Sequence, residues 1–211
     1  PFLTGVYTRG QIAQSGFSAS ELKTEGYSAD ELQDFGKTIP FLTGVYTREQ
    51  IAQSGYTDVE LKTEGYTADE LQNFGRSLQD LTDANYPRSD IANAGYTMFL
   101  LKSNGYSADE LQDFGKTIDE LLSVSYARSI VASAGYSADE LKTSGFIASE
   151  LYAANLTIVE LTNANYTRQQ IATAGYRSSE LKNAGYSADE LQSFGKSVSE
   201  LLSAEYTREI V

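Results

Sequence analysis

Residues 26–36 read Gly-Tyr-Ser-Ala-Asp-Glu-Leu-Gln-Asp-Phe-Gly, a short helix carrying both its start and its stop. Ser28 stands three residues before Glu31, the spacing of a capping box in which each side chain satisfies an orphan backbone N–H of the other. Gly26 and Gly36 stand where a left-handed residue closes a helix, and the residue after such a glycine packs back on the third residue from the helix end. That geometry pairs Tyr27 with Leu22, so the five-residue spacing of leucine and tyrosine has a local cause. The helix between the two signals has about seven residues and is roughly 10 Å long.

The same unit runs through the chain with a period of ten. An apolar residue recurs at Phe2, Ile12, Leu22 and Leu32, then after one nine-residue step at Phe41, and every ten residues from Ile51 to Val211. Capping boxes repeat at Thr67/Glu70, Ser107/Glu110, Ser137/Glu140 and Ser187/Glu190, and Asn85, Asn155 and Asn165 replace the closing glycine. Asn is the next most tolerant residue of positive φ. Every fourth unit ends in Phe-Gly-Lys or Phe-Gly-Arg, as at Phe35–Lys37, Phe74–Arg76, Phe114–Lys116 and Phe194–Lys196. Four units therefore make a block, giving blocks 1–39, 40–78, 79–118, 119–158 and 159–198 with a partial 199–211, read as one array over residues 1–211.

Helices this short are marginal in isolation, so their stability must come from stacking on their neighbours. The fold expected is all-α, a repeat solenoid of about 21 two-turn helices with ten residues per unit and four units per superhelical turn. A β-solenoid would need period-two alternation, which Ala-Asp-Glu-Leu-Gln lacks. Two long helices per forty residues, as in armadillo or HEAT arrays, would be broken by the glycines.

In such a stack, identical residues one block apart form ladders. Arginines recur at 9, 48, 88, 128, 168 and 208, and lysines at 23, 62, 102, 142 and 182. A polyanion track is one reading of these ladders; pairing with acids on adjacent units is the favoured one. Gln33, Gln72, Gln112 and Gln192 make a ladder broken by Tyr152, and Ala13, Ala52, Ala92, Ala132 and Ala172 one that permits close contact. Each tyrosine of the ten-residue column is expected to cover a leucine with its ring and reach water with its hydroxyl.

The composition narrows the chemistry further. The chain has 211 residues, 16 Lys and Arg against 29 Asp and Glu, a net charge of -13, and no His, Cys or Trp. This balance argues against nucleic acid as a partner. No apolar run is long enough for membrane insertion. Ser and Thr lack a histidine base, the repeated carboxylates are explained by capping, and neither a calcium loop nor a phosphate loop occurs. No enzyme, cofactor or metal is therefore expected.

Departures from the repeat mark candidate surfaces. Met98, Phe99 and Leu100 stand where sister units carry Ala-Asp-Glu-like residues, and Ile147, Tyr152 and Leu156 disturb the fourth block; all six are candidate lateral contacts. Asn155-Leu-Thr and Asn165-Tyr-Thr are sequons, making Asn155 and Asn165 candidate glycan acceptors, although both also fit the helix-closing column.

The Gly-Tyr-Ser-Ala-x-Glu-Leu unit, at Gly26–Leu32, Gly105–Leu111 and Gly185–Leu191, resembles the decapeptide-repeat arrays of large microbial and viral proteins. The resemblance implies a building block and transfers no functional site. Beginning at Pro1 and stopping at Val211 within a repeat, the chain is expected to be a segment of a longer array or a protomer associating end to end. The expected role is a structural rod, spacer or filament on an extracellular or virion surface. A solenoid module that binds a protein or a glycan is the alternative, and a flat threonine array that would suggest ice binding is missing.

Overall fold

The computed structural model describes residues 6–207. These residues form twenty short helices and no strand, and the chain divides into two compact units, Pro1–Leu100 and Leu101–Val211. The first unit holds α1 (Arg9–Gln14), α2 (Ala19–Thr24), α3 (Ala29–Asp34), α4 (Ile39–Leu42), α5 (Arg48–Ala52), α6 (Asp58–Thr63), α7 (Ala68–Asn73), α8 (Leu78–Asp83) and α9 (Arg88–Asn93). The boundary falls within α10 (Met98–Ser103). The second unit holds α11 (Ala108–Asp113), α12 (Ile118–Ser123), α13 (Arg128–Ala132), α14 (Ala138–Thr143), α15 (Ala148–Ala153), α16 (Ile158–Asn163), α17 (Arg168–Thr173), α18 (Ser178–Asn183), α19 (Ala188–Ser193) and α20 (Val198–Ser203).

The local signals act as the sequence implies. Ser28 Oγ accepts from the Glu31 N–H, and the Glu31 carboxylate accepts from the Ser28 N–H, at 3.1 and 3.0 Å. At the other end of a unit, Tyr27 N–H donates to Leu22 O and Gly26 N–H to Lys23 O, each at 3.0 Å, which is a Schellman ending. Gly26 has φ +81°, and Asn85, Asn155 and Asn165 take the same left-handed conformation at 57°, 65° and 60°.

Two non-glycine residues enter this column unannounced, Ser125 at φ 62° and Glu205 at φ 63°. A left-handed L-residue costs about 1–2 kcal/mol. Ser125→Gly is therefore expected to stabilise the protein by about 0.5–1 kcal/mol, and Gly115→Ser, at φ +81°, to destabilise it by a similar amount. Urea denaturation of the two variants checks both signs.

The nine-residue step lies one unit later than expected, between Leu42 and Ile51 and not between Leu32 and Phe41. Leu42, not Phe41, is the fully buried member of the apolar column, while Phe41 is half-buried. The missing residue is lost from the closing turn. Tyr46 N–H reaches back four residues to Leu42 O, where Tyr126 N–H reaches back five to Leu121 O. A tighter cap thus replaces the six-residue one, and the column resumes at Ile51. Phe2 and Val211 lie outside the described residues.

Within each unit the closely packed helix pairs are neighbours or next-but-one neighbours, such as α3 with α5, α7 with α9, α14 with α16 and α18 with α20. Direct stacking therefore steps by twenty residues, where four units per superhelical turn led us to expect forty. The forty-residue period is a period of chemistry laid over that step: alternate helices stack on one another, and successive layers join through different side chains.

Candidate functional site

The ladders are the chemistry of the stack. In the first unit Arg48 projects from the start of α5 and forks onto Glu70 of α7, with Nε and Nη2 2.7 and 2.8 Å from the two carboxylate oxygens. Nη2 also donates to Gly65 O at 2.9 Å, and the guanidinium lies 3.8 Å above the Tyr66 ring. Tyr66 in turn donates its hydroxyl to Arg48 O at 3.2 Å, closing the loop between the layers. Glu70 meanwhile accepts from the Thr67 N–H, so one carboxylate both caps its own helix and anchors the helix two before it. Arg9 grips Glu31 in the same way, and in the second unit Arg128 grips Glu150 and Arg168 grips Glu190. The Arg128 guanidinium holds the Glu150 carboxyl below its ordinary range, and Arg168 does the same to Glu190. The expected pairing of bases with acids holds for these four arginines, but the acid lies two units on, not on the adjacent unit; Arg208 lies outside the described residues.

The lysine ladder does something else. Lys142 Nζ donates to Ala164 O and Asn165 O, at 2.9 and 2.7 Å, and lies 5.0 Å from the Tyr166 ring. Lys62 and Lys182 cap the carbonyls at 84–85 and 204–205 alike. Each lysine thus closes the C-terminal end of the helix two further on, where unsatisfied carbonyls and the negative end of the helix attract a cation. The acids expected as its partners are not what it meets.

The tyrosine hydroxyls likewise do not end in water. Tyr86 donates to Tyr66 O at 2.6 Å, Tyr96 to Arg76 O at 2.7 Å, and Tyr166 to Phe146 O at 2.6 Å. Each target is a turn carbonyl twenty residues earlier, an acceptor that burial would otherwise leave unpaired. Tyr186 is an exception whose hydroxyl has no hydrogen bond.

The glutamine ladder rests on glycines. Gln33 lies against Gly55 and Gln112 against Gly135, where an added Cβ would come within 2.5 and 3.2 Å of the amide oxygen. Tyr152 takes this place over Gly175, where a Cβ would stand 2.5 Å from the ring. Its ring packs edge-on to Tyr176 with centroids 4.8 Å apart. The alanines at 13, 52, 92, 132 and 172 are all buried, as close packing requires.

Between stacked helices run open grooves, and two of them in the second unit occupy equivalent positions forty residues apart. One, of about 420 Å³, is lined by Gln112, Lys116, Asp119, Tyr136 and Glu140 among others. The other, of about 470 Å³, has Tyr152, Leu156, Val159, Tyr176 and Glu180 at the same places. The structure therefore brings the candidate contacts Tyr152 and Leu156 together. Ile147 is instead the exposed N-cap residue of α15, and Met98, Phe99 and Leu100 open α10, with Phe99 69% and Leu100 42% exposed. Val159, 65% exposed, was missed by sequence reading, although Asp119 in the sister unit pointed to it. Asn155 and Asn165 are exposed at helix-closing positions. Among the described residues no group of three His, Cys, Asp or Glu side chains is placed to hold a metal, and no helix is long and apolar enough to cross a membrane.

Stacked six-residue helices tied by repeating side-chain clamps define a helical repeat solenoid. The chain belongs to the decapeptide repeat region family, which matches residues 55–128 and 135–208. A search of curated proteins and one of solved structures returned no match.

Proposed function

We propose that the protein is structural, a rod, spacer or filament component on a cell or virion surface, and that it catalyses no reaction. The observation that supports this reading is where the polar chemistry goes. Arginine, glutamate, lysine and tyrosine, the side chains from which a recognition site would be built, bind one layer of the array to the next. The absence of His and Cys from the whole sequence leaves no histidine base or thiol nucleophile, and the net charge of -13 disfavours nucleic acid. Partners on this reading are further copies of the same repeat, either in a longer array or end to end.

A second reading is a module that binds a protein or a glycan, favoured by one feature, the apolar groove around Tyr152. Small-angle scattering and electron microscopy of the purified chain separate the two. Elongated particles that lengthen or join with concentration are expected. Compact, monodisperse particles at every concentration would overturn the structural reading.

A further inference from the structure

Four glutamates use one charge for two tasks. Glu31, Glu70, Glu150 and Glu190 each accept from the N–H that opens their own helix, that of Ser28, Thr67, Ile147 and Ser187. The same carboxylates take Nε and Nη2 of an arginine two helices earlier, at 2.6–3.0 Å. In α15 the N-cap residue is Ile147, so Glu150 has no hydroxyl to share the capping.

The joints that alternate with these are made without an acid. Gln33 Nε2 of α3 donates to Gly55 O beyond α5 at 3.4 Å, Gln112 of α11 lies against Gly135 beyond α13, and Tyr152 of α15 against Gly175 beyond α17. Among the even-numbered helices Lys62, Lys142 and Lys182 hold backbone carbonyls. Glu21, Glu60, Glu140 and Glu160 cap their own helices with no arginine upon them, so losing their charge frays a helix start and leaves the layer joint in place.

A proton therefore acts unevenly along the stack. Taken up by Glu70, it cancels the charge that Arg48 faces and weakens the acceptor of the Thr67 N–H in one step. The other titratable groups facing these carboxylates are tyrosines, neutral in acid: Tyr46 for Glu31, Tyr66 and Tyr86 for Glu70, Tyr166 for Glu150, Tyr186 and Tyr206 for Glu190. We infer that the array contains acid-operated joints, at alternate layers of the odd-numbered helices, which open when Glu31, Glu70, Glu150 and Glu190 take up protons while the glutamine, tyrosine and lysine joints hold. A rod and a binding module would both loosen in this way.

The direction of the titration agrees with the geometry. The Ser28 N–H and Arg9 hold the Glu31 carboxyl below its ordinary 4.5; at Glu70 burial pushes the other way and is outweighed by Arg48 and the Thr67 N–H. The folded chain thus keeps these charges further into acid than the unfolded chain does. Their contribution is complete above the unfolded value and is lost as pH falls through the folded one.

Hydrogen exchange of the full chain at pH 7 and pH 3, corrected for intrinsic rates, reads the joints by position. The arginine-bearing helices α5, α13 and α17 have no capping acid of their own, so a loss of protection there reports the joint and not a cap. In acid these helices and their partners α7, α15 and α19 are expected to lose about fivefold or more in protection, as for a cap and an exposed ion pair together, against less than about twofold at the lysine joints. Gln already fills the capping place at Gln11, Gln50 and Gln170, so a Glu→Gln change keeps the cap and deletes the titration. Glu31→Gln, Glu70→Gln, Glu150→Gln and Glu190→Gln combined are expected to give at pH 7 the protection that wild type shows at pH 3, with little further change in acid. Glu21→Gln, Glu60→Gln, Glu140→Gln and Glu160→Gln combined, equal in charge, are expected to keep the wild-type response. Protection lost evenly along the chain or kept throughout at pH 3 would overturn the joints, as would a joint variant that answers acid as wild type does or a control variant that does not. Circular dichroism at pH 7 checks that both variants fold, and should the joint variant not fold, the positional pattern in wild type still decides.

Discussion

Leu71→Ala is expected to destabilise the protein by about 2–5 kcal/mol, the range for emptying a well-packed leucine site. Leu71 is fully buried, as are Leu61 and Leu81 on either side of it in the ten-residue column. Each six-residue helix is too short to hold itself, so the leucine contributes more than its own contacts: it couples α7 to α9, stacked on it, and to α8 beside it. In a nearest-neighbour array a loss at one site weakens the repeats around it first. The urea transition of Leu71→Ala should therefore both fall in midpoint and broaden. Val59→Ala serves as the reference, since Val59 is 54% exposed and its truncation should change stability by less than about 0.5 kcal/mol. Equal effects at the two sites would show that the column is not the core.

What could be read from the sequence was whatever is settled within one unit. Ser28, Glu31 and Gly36 lie within nine residues and act on each other through backbone geometry alone, so the helix, its cap and its closing turn were legible. The interactions between units were legible only in part. The arginine column implied an acidic partner, and the stack supplies one 22 residues on, as between Arg48 and Glu70. The spacing of like residues, however, reports when the chemistry recurs, not which helix lies against which. That is why a forty-residue period concealed a twenty-residue stacking step. The same limit explains Lys142, whose partners are the carbonyls of Ala164 and Asn165, backbone groups that leave no trace in a sequence. Of the candidate contacts, Tyr152 and Leu156 were visible as breaks in their ladders. Val159 departs from Asp119 of the sister unit in the same way, but a valine near a helix start looks unremarkable until the groove places it beside them.

Alkaline pH is expected to unfold the array between about pH 10 and 12, before its arginines lose charge. Burial, assisted by nearby carboxylates, pushes the hydroxyls of Tyr56, Tyr86, Tyr136 and Tyr176 up to about 12 from 10.0. Below pH 10 these groups are neutral in both folded and unfolded chains, and their contribution is fully present. Above it the unfolded chain ionises first, and stability falls as pH rises toward the folded value. A shift of two units corresponds to about 2.7 kcal/mol at most, and to about 1 kcal/mol once solvent screening of a partly buried group is allowed for. Four together remove about 4 kcal/mol, a large share of an ordinary domain's stability. Each of these buried hydroxyls donates to a carbonyl in the preceding layer, such as Tyr136 to Lys116 O at 2.5 Å, and an ionised oxygen would face that carbonyl with no proton between them. Replacing the four tyrosines with phenylalanine should lower stability at pH 8 by about 0.5–1.5 kcal/mol per site while flattening its fall above pH 10. Urea midpoints at pH 8, 10 and 12, followed with tyrosinate absorbance, measure both effects. If these tyrosines ionise near pH 10 with the helices intact, their hydroxyls do not tie the layers together.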